Sequence, residues 1–99
     1  LMAQFDVHES RLGDELLLDC QSDLLDHFGT RFVVPLLSAQ TARTLPRLHP
    51  IFTIDGEQHI LATQLASAVD VEDLGRKVGS LADQRYDILN ALDVLLTGV

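Results

Sequence analysis

Residues 81–99, Leu-Ala-Asp-Gln-Arg-Tyr-Asp-Ile-Leu-Asn-Ala-Leu-Asp-Val-Leu-Leu-Thr-Gly-Val, decide how the rest of the chain is read. Leu81, Arg85, Ile88, Leu92, Leu95 and Leu96 recur at three- and four-residue steps, which predicts one stripe of an amphipathic helix. Ser80 followed by Asp83 has the spacing of a capping box at its start, with Asp73 as an alternative N-cap. Only Val99 follows Gly98, so Leu95, Leu96 and Val99 are expected to face solvent or to be covered by another molecule. The helix end is therefore the first candidate docking surface. Asp83, Asp87 and Asp93 are expected on the solvent face. Asp93 lies toward the carbonyl end, where the helix dipole disfavours a carboxylate and a basic partner group would relieve it.

Upstream of this helix the chain reads as β-structure. Gln4–Val7 alternates weakly and predicts a first strand, and the turn-rich Glu9–Asp14 leads to a second at Glu15–Cys20. Arg31–Leu37 predicts a third strand, with Pro35 expected at its margin because proline has no N–H to give a ladder. Ile51–Ile54, Asp55-Gly56 and Gln58–Leu61 form the clearest hairpin signal, since Asp-Gly suits the positive φ angles of a type I′ turn. Thr41–Pro50, with Pro46 and Pro50, is expected to be a connecting loop, and Ala66–Val71 a short strand. The predicted architecture is α+β and mainly β: one domain over residues 2–99, a small antiparallel sheet folded on itself with a C-terminal helix across it. Leu1, before Met2, is set aside as a remnant of cloning.

The composition narrows the function. The chain has 99 residues and a formal net charge of -8, with 46% hydrophobic but only 5% aromatic residues. The core is therefore aliphatic, and the charge argues against tight, non-specific nucleic-acid binding and against anionic membranes, which require Lys and Arg. A soluble partner with a basic patch fits better. No apolar run is long enough to span a bilayer, and a cytoplasmic protein is the default expectation. Cys20 is the single cysteine, which excludes an internal disulfide and a cysteine metal cluster.

Catalytic apparatus is not visible. The histidines at positions 8, 27, 49 and 59 never stand three or four residues apart, so no metal site and no cofactor are expected. Cys20 reads as a small buried side chain rather than a nucleophile, and His27 beside Asp26 as part of a solvated turn. There is no phosphate-binding glycine loop and no nucleophile elbow. Arg31, Arg43 and Arg47 are scattered and expected in solvent, and Phe28 is expected in the core. Leu24-Leu25 sits between two turn segments and has two readings, a satellite cluster under the sheet or an exposed anchor for a partner.

One family matches this pattern. Gln4-Phe5, Asp19, Gln21-Ser22-Asp23, Asp26, Gly29, Arg31, Val33, Pro35-Leu36 and Ser38-Ala39 resemble the N-terminal half of the CcdB toxins of CcdA–CcdB toxin–antitoxin modules. The resemblance continues through Pro50, Ala66-Ser67, Leu74-Gly75, Val78, Leu81, Asp87-Ile88, Asn90-Ala91 and Gly98. It implies a homodimer with a partly closed SH3-like barrel of the CcdB, PemK and MazF type. It also implies a non-enzymatic toxin that binds the GyrA subunit of DNA gyrase and traps the complex with cleaved DNA. Its antitoxin, similar to CcdA, lays a disordered segment over the dimer, and the pair represses its operon, so operator DNA is bound only through the antitoxin. On this resemblance Thr97, Gly98 and Val99 match the gyrase contacts. Leu24, Leu25, Asp93, Leu96, Thr97 and Gly98 match antitoxin contacts. Where such toxins carry a tryptophan before the final glycine, this chain has Thr97, which removes most of a large flat contact surface. A homologue that keeps antitoxin binding with weak or no toxicity is therefore an alternative. An endoribonuclease of the PemK and MazF type is another, which would need an electropositive groove and an arginine such as Arg31.

Overall fold

The computed structural model describes residues 3–39 and 44–98. Its elements are β1 (Asp6–Ser10), β2 (Leu16–Asp19), β3 (Thr30–Ser38), β4 (Ile51–Ile54), β5 (Glu57–Leu61), β6 (Ser67–Asp70), β7 (Leu74–Ser80) and α1 (Arg85–Thr97). All strand pairs are antiparallel, in the order β4-β5-β3-β2-β1-β7, with β6 added to the β5 side of β3. β6 lies on β3 and β7 on β1, yet only the 3₁₀ turn Val71–Asp73 joins them. So short a connection forces the sheet to curl across β2, and the result is a half-barrel with one C-terminal helix. Backbone bonds from Val71 N to Gly29 O and from Arg11 N to Asp73 O, each 3.0 Å, tie this connection to both loops it passes.

The curl gives the sheet two apolar faces. Phe5, Val7, Leu18, Val34, Leu36, Phe52, Ile54 and Leu61 pack on one side with Leu81, Ile88 and Ala91. Leu17, Val33 and Leu74, with Val69, pack on the other, within the curl. Successive residues of a strand point to opposite faces, so Leu17-Leu18 and Val33-Val34 each supply both cores. This is why these strands read as apolar runs rather than alternating patterns.

Several sequence expectations are confirmed. The hairpin turn has Asp55 at φ 52° and Gly56 at φ 80°, both positive as a type I′ turn requires. Ala66–Val71 contains β6, and the helix ends at Gly98, left-handed at φ 80°, whose N–H donates to Val94 O at 2.8 Å.

Other expectations need correction. The first strand begins at Asp6 rather than Gln4, because Phe5 takes φ 70° and cannot continue an extended strand. Pro35 lies inside β3, not at its margin. It is tolerated because Pro35 O accepts from Ala62 N at 2.9 Å, so its nitrogen faces the same edge, where β6 has ended and β5 has not begun. The capping box does not form. Ser80 Oγ accepts from Ala82 N at 3.2 Å, which starts a 3₁₀ turn at Ala82–Gln84, and α1 follows at Arg85. Asp73 closes the turn before β7 instead of capping a helix. Arg85 is exposed rather than part of a buried stripe, its guanidinium 5.9 Å from the Phe5 ring centroid.

Candidate functional site

The loop after β2 is built by four polar side chains. Ser22 Oγ accepts from Leu24 N at 3.2 Å and caps the 3₁₀ turn Asp23–Leu25. Asp23 Oδ1 accepts from Gln4 N at 2.8 Å, and Gln4 Nε2 donates to Cys20 O at 3.1 Å. Gln21 spans the gap to β3: its Oε1 accepts from Phe32 N at 2.9 Å and its Nε2 donates to Leu25 O at 2.8 Å. A turn pinned in this way cannot fold its leucines inward. Leu24 is 86% exposed and Leu25 42%, so neither forms a satellite cluster buried under the sheet. Phe28, expected in the core, is instead 49% exposed and tilts against the His27 ring at 4.4 Å. It belongs to the same outward loop, whose backbone bonds direct the chain away from either core. Gln21 is the positioning residue that sequence reasoning missed. Its only signal was a long amide at the junction between strand and turn.

The helix end is the second part. α1 buries Ile88 and Ala91 and packs against the 3₁₀ turn Thr63–Leu65. Leu92 is half-buried, Leu95 is 39% exposed and Leu96 is 78% exposed. Asp93 is exposed, and its carbonyl accepts from Thr97 Oγ1 at 2.6 Å. No basic residue occupies the last turn, so the carbonyl end faces Asp93 without a cation from its own helix. The structure thus brings Asp93 and Thr97 together and leaves Leu96 outward. Val99 and Arg43 lie outside the described residues.

The groups that sequence chemistry singled out are occupied structurally. Arg31, expected in solvent, is 1% exposed within the curl, where its Nε donates to Asp19 Oδ2 at 2.9 Å and its Nη2 lies 2.7 Å from the same oxygen. The pairing of Asp19 with Val33 places Arg31 diagonally across from Asp19 on one face. Arg47 is exposed, as expected, with Nη2 3.3 Å from Asn90 Oδ1. Burial, and secondarily the charge of Asp19, pushes the Cys20 thiol up to about 12, which leaves it neutral and unreactive. His8 is 5% exposed, with Nδ1 3.2 Å from Gly75 O; a carbonyl only accepts, so Nδ1 carries the proton. Lys77 Nζ lies 3.1 Å from the buried Asp6 carboxylate. Among the described residues no three His, Cys, Asp or Glu side chains converge as metal ligands. No helix there is long and apolar enough to cross a membrane.

A family model described as CcdB protein matches residues 4–98. Solved structures with the same fold include the Mycobacterium tuberculosis toxin MazF-mt6, with a TM-score of 0.79 and 18% identity over 92% of this chain and 95% of that one. An endoribonuclease in complex with its cognate antitoxin, from a mycobacterial species, has a TM-score of 0.79 and 18% identity, covering 97% of this chain and 95% of that one. A further mycobacterial endoribonuclease has a TM-score of 0.75 and 18% identity, covering 96% and 90%.

Proposed function

We infer the activity from one premise: this chain belongs to the CcdB family and is the toxin of a toxin–antitoxin system. The toxin binds the A subunit of DNA gyrase through Thr97, Gly98 and Val99, traps the complex with cleaved DNA, and makes or breaks no bond of its own. It works in the cytoplasm as a homodimer. A CcdA-like antitoxin neutralises it by covering Leu24, Leu25, Asp93, Leu96, Thr97 and Gly98, and the two together occupy the operator.

The observation that carries this reading is the outward placement of Leu24 and Leu96, 86% and 78% exposed, on a pinned turn and at a helix end. Exposed apolar side chains grouped on one loop, as Leu24, Leu25 and Phe28 are, mark an interaction surface. The likeness to endoribonucleases is one of fold, and the arginine such chemistry would need is buried against Asp19. Expressing the protein without antitoxin, and measuring cleaved-DNA complexes of the host's gyrase, tests the reading. Growth arrest with accumulating cleaved complexes is the expected result, and cleaved RNA without cleaved DNA would overturn it.

A second reading has its own observation. Thr97 turns its hydroxyl back onto its helix, to Asp93 O at 2.6 Å, and offers no flat surface outward. A tryptophan buries roughly 150–250 Å², so losing that contact forfeits up to about 4–6 kcal/mol at about 25 cal/mol per Å². This favours a weak gyrase poison that keeps its antitoxin contacts, and Thr97→Trp should then strengthen growth arrest.

A further inference from the structure

We propose that the seam between the free edges of β4 and β7 is a docking groove for an extended, lysine- or arginine-bearing peptide segment of a partner protein. β4 and β7 are the two ends of the strand order, so each has an outer edge with no strand neighbour. They face each other across a cavity of about 150 Å³, with Thr53 and Ile54 on one side and Val78 and Gly79 on the other. This cavity continues into one of about 340 Å³ that shares Ile54 and Val78 with it and adds Leu16. Exposed carboxylates of Glu9, Asp14, Asp55 and Glu57 surround the larger cavity. Arg76 also lines it, but its Nε already lies 3.3 Å from Glu9 Oε1.

Each feature selects part of the occupant. A free strand edge presents N–H and C=O groups to an extended backbone, which pairs with it as an added strand. Apolar groups between the edges accept alternate side chains, as period-two geometry demands. The carboxylate rim attracts a cationic sequence and repels phosphate, so it favours a basic peptide over a nucleic acid. The rigid Asp55-Gly56 turn fixes the rim at the hairpin tip. The groove shares no residue with the gyrase and antitoxin contacts proposed above, so each proposal can fail without the other.

The test is fluorescence anisotropy with the full chain and a labelled nine-residue peptide of alternating lysine and valine. Binding in the micromolar range is expected, weakened about tenfold by the double variant D14K/E57K and by N-methylation of alternate peptide amides. A glutamate-for-lysine peptide and a single-stranded RNA of equal length should not bind. A control variant, D83K/D87K, with one exposed site in the 3₁₀ turn before α1 and one in the first turn of α1, should leave affinity unchanged. Failure of the lysine peptide to bind would overturn the proposal. So would equal weakening by the control variant, which reports diffuse attraction, an N-methylated peptide that binds as well, or preferential binding of the RNA.

Discussion

The interior of the curl and the tip of the loop after β2 invert the usual rule for the residues they hold. Within the curl an arginine and an aspartate are sealed from water at 1% and 0% exposure. On the loop, five residues after Asp19 and seven before Arg31, Leu24 stands 86% exposed. The buried pair has no access to a substrate, so its work is structural. Taking two charges out of water is costly, and geometry this close is what offsets the cost. The exposed leucine contributes almost nothing to the stability of its own chain, and the antitoxin contact proposed above is where its apolar area would be used. The comparison teaches that this buried charge marks structure, and that the outward apolar loop is the place where a contact is to be tested.

The largest effect that could break the comparison belongs to the buried pair. Arg31→Ala should lower unfolding free energy by about 3–5 kcal/mol, because it leaves Asp19 charged and unpaired in an apolar interior. Urea denaturation measures it, and a loss under 1 kcal/mol would mean the pair is solvated. Next come Leu24→Ser and Leu96→Ser. Each should change stability by no more than about 0.5 kcal/mol while weakening antitoxin binding by about 1–3 kcal/mol, read by calorimetry with the cognate antitoxin. Gln21→Ala sharpens the contrast, since it removes two hydrogen bonds that hold the turn to β3. A stability loss of about 1–2 kcal/mol with faster amide exchange at Leu24 and Leu25 is expected.

The last effect, absent at neutral pH, is a pH dependence. Cys20 is held near 12 in the folded chain against 9.0 when unfolded, so between these values the folded state keeps a proton that the unfolded state has lost. Stability from this group is fully present below pH 9 and falls as pH rises toward 12, by at most about 1.4 kcal/mol per unit. Cys20→Ala should flatten that part of the curve. Alkylation of the native thiol at pH 8 should be slow and should accelerate on unfolding.

Local rules carried the readable part of the sequence. Asp55-Gly56 set its hairpin because positive φ is a property of two adjacent residues, and the spacing of Ile88, Leu92 and Leu95 set the helix. The Arg31–Asp19 pair was hidden because its partners are twelve positions apart and meet only once β2 and β3 are in register. Phe5 shortened the first strand through a backbone angle that no neighbouring residue announces. Pro35 was misplaced because its safety inside β3 depends on where two other strands end. Phe28 looked like core by composition, but the hydrogen bonds of Gln21 and Gly29 direct its loop outward. For the candidate site, Leu96 was legible from the helix end, Leu24 and Leu25 were left between a buried and an exposed reading, and Thr97 came only through the resemblance, whereas the clamp that holds the loop was not legible.

The central claim is that this protein acts by contact through its helix end, with no catalytic group of its own. The measurement that tests it most directly is the accumulation of cleaved-DNA complexes by purified host gyrase, with the full chain and with a chain truncated after Thr97. The account predicts cleaved complexes with the first, more of them with Thr97→Trp, and none with the truncated chain at unchanged unfolding free energy. Equal accumulation with and without the last two residues would contradict it.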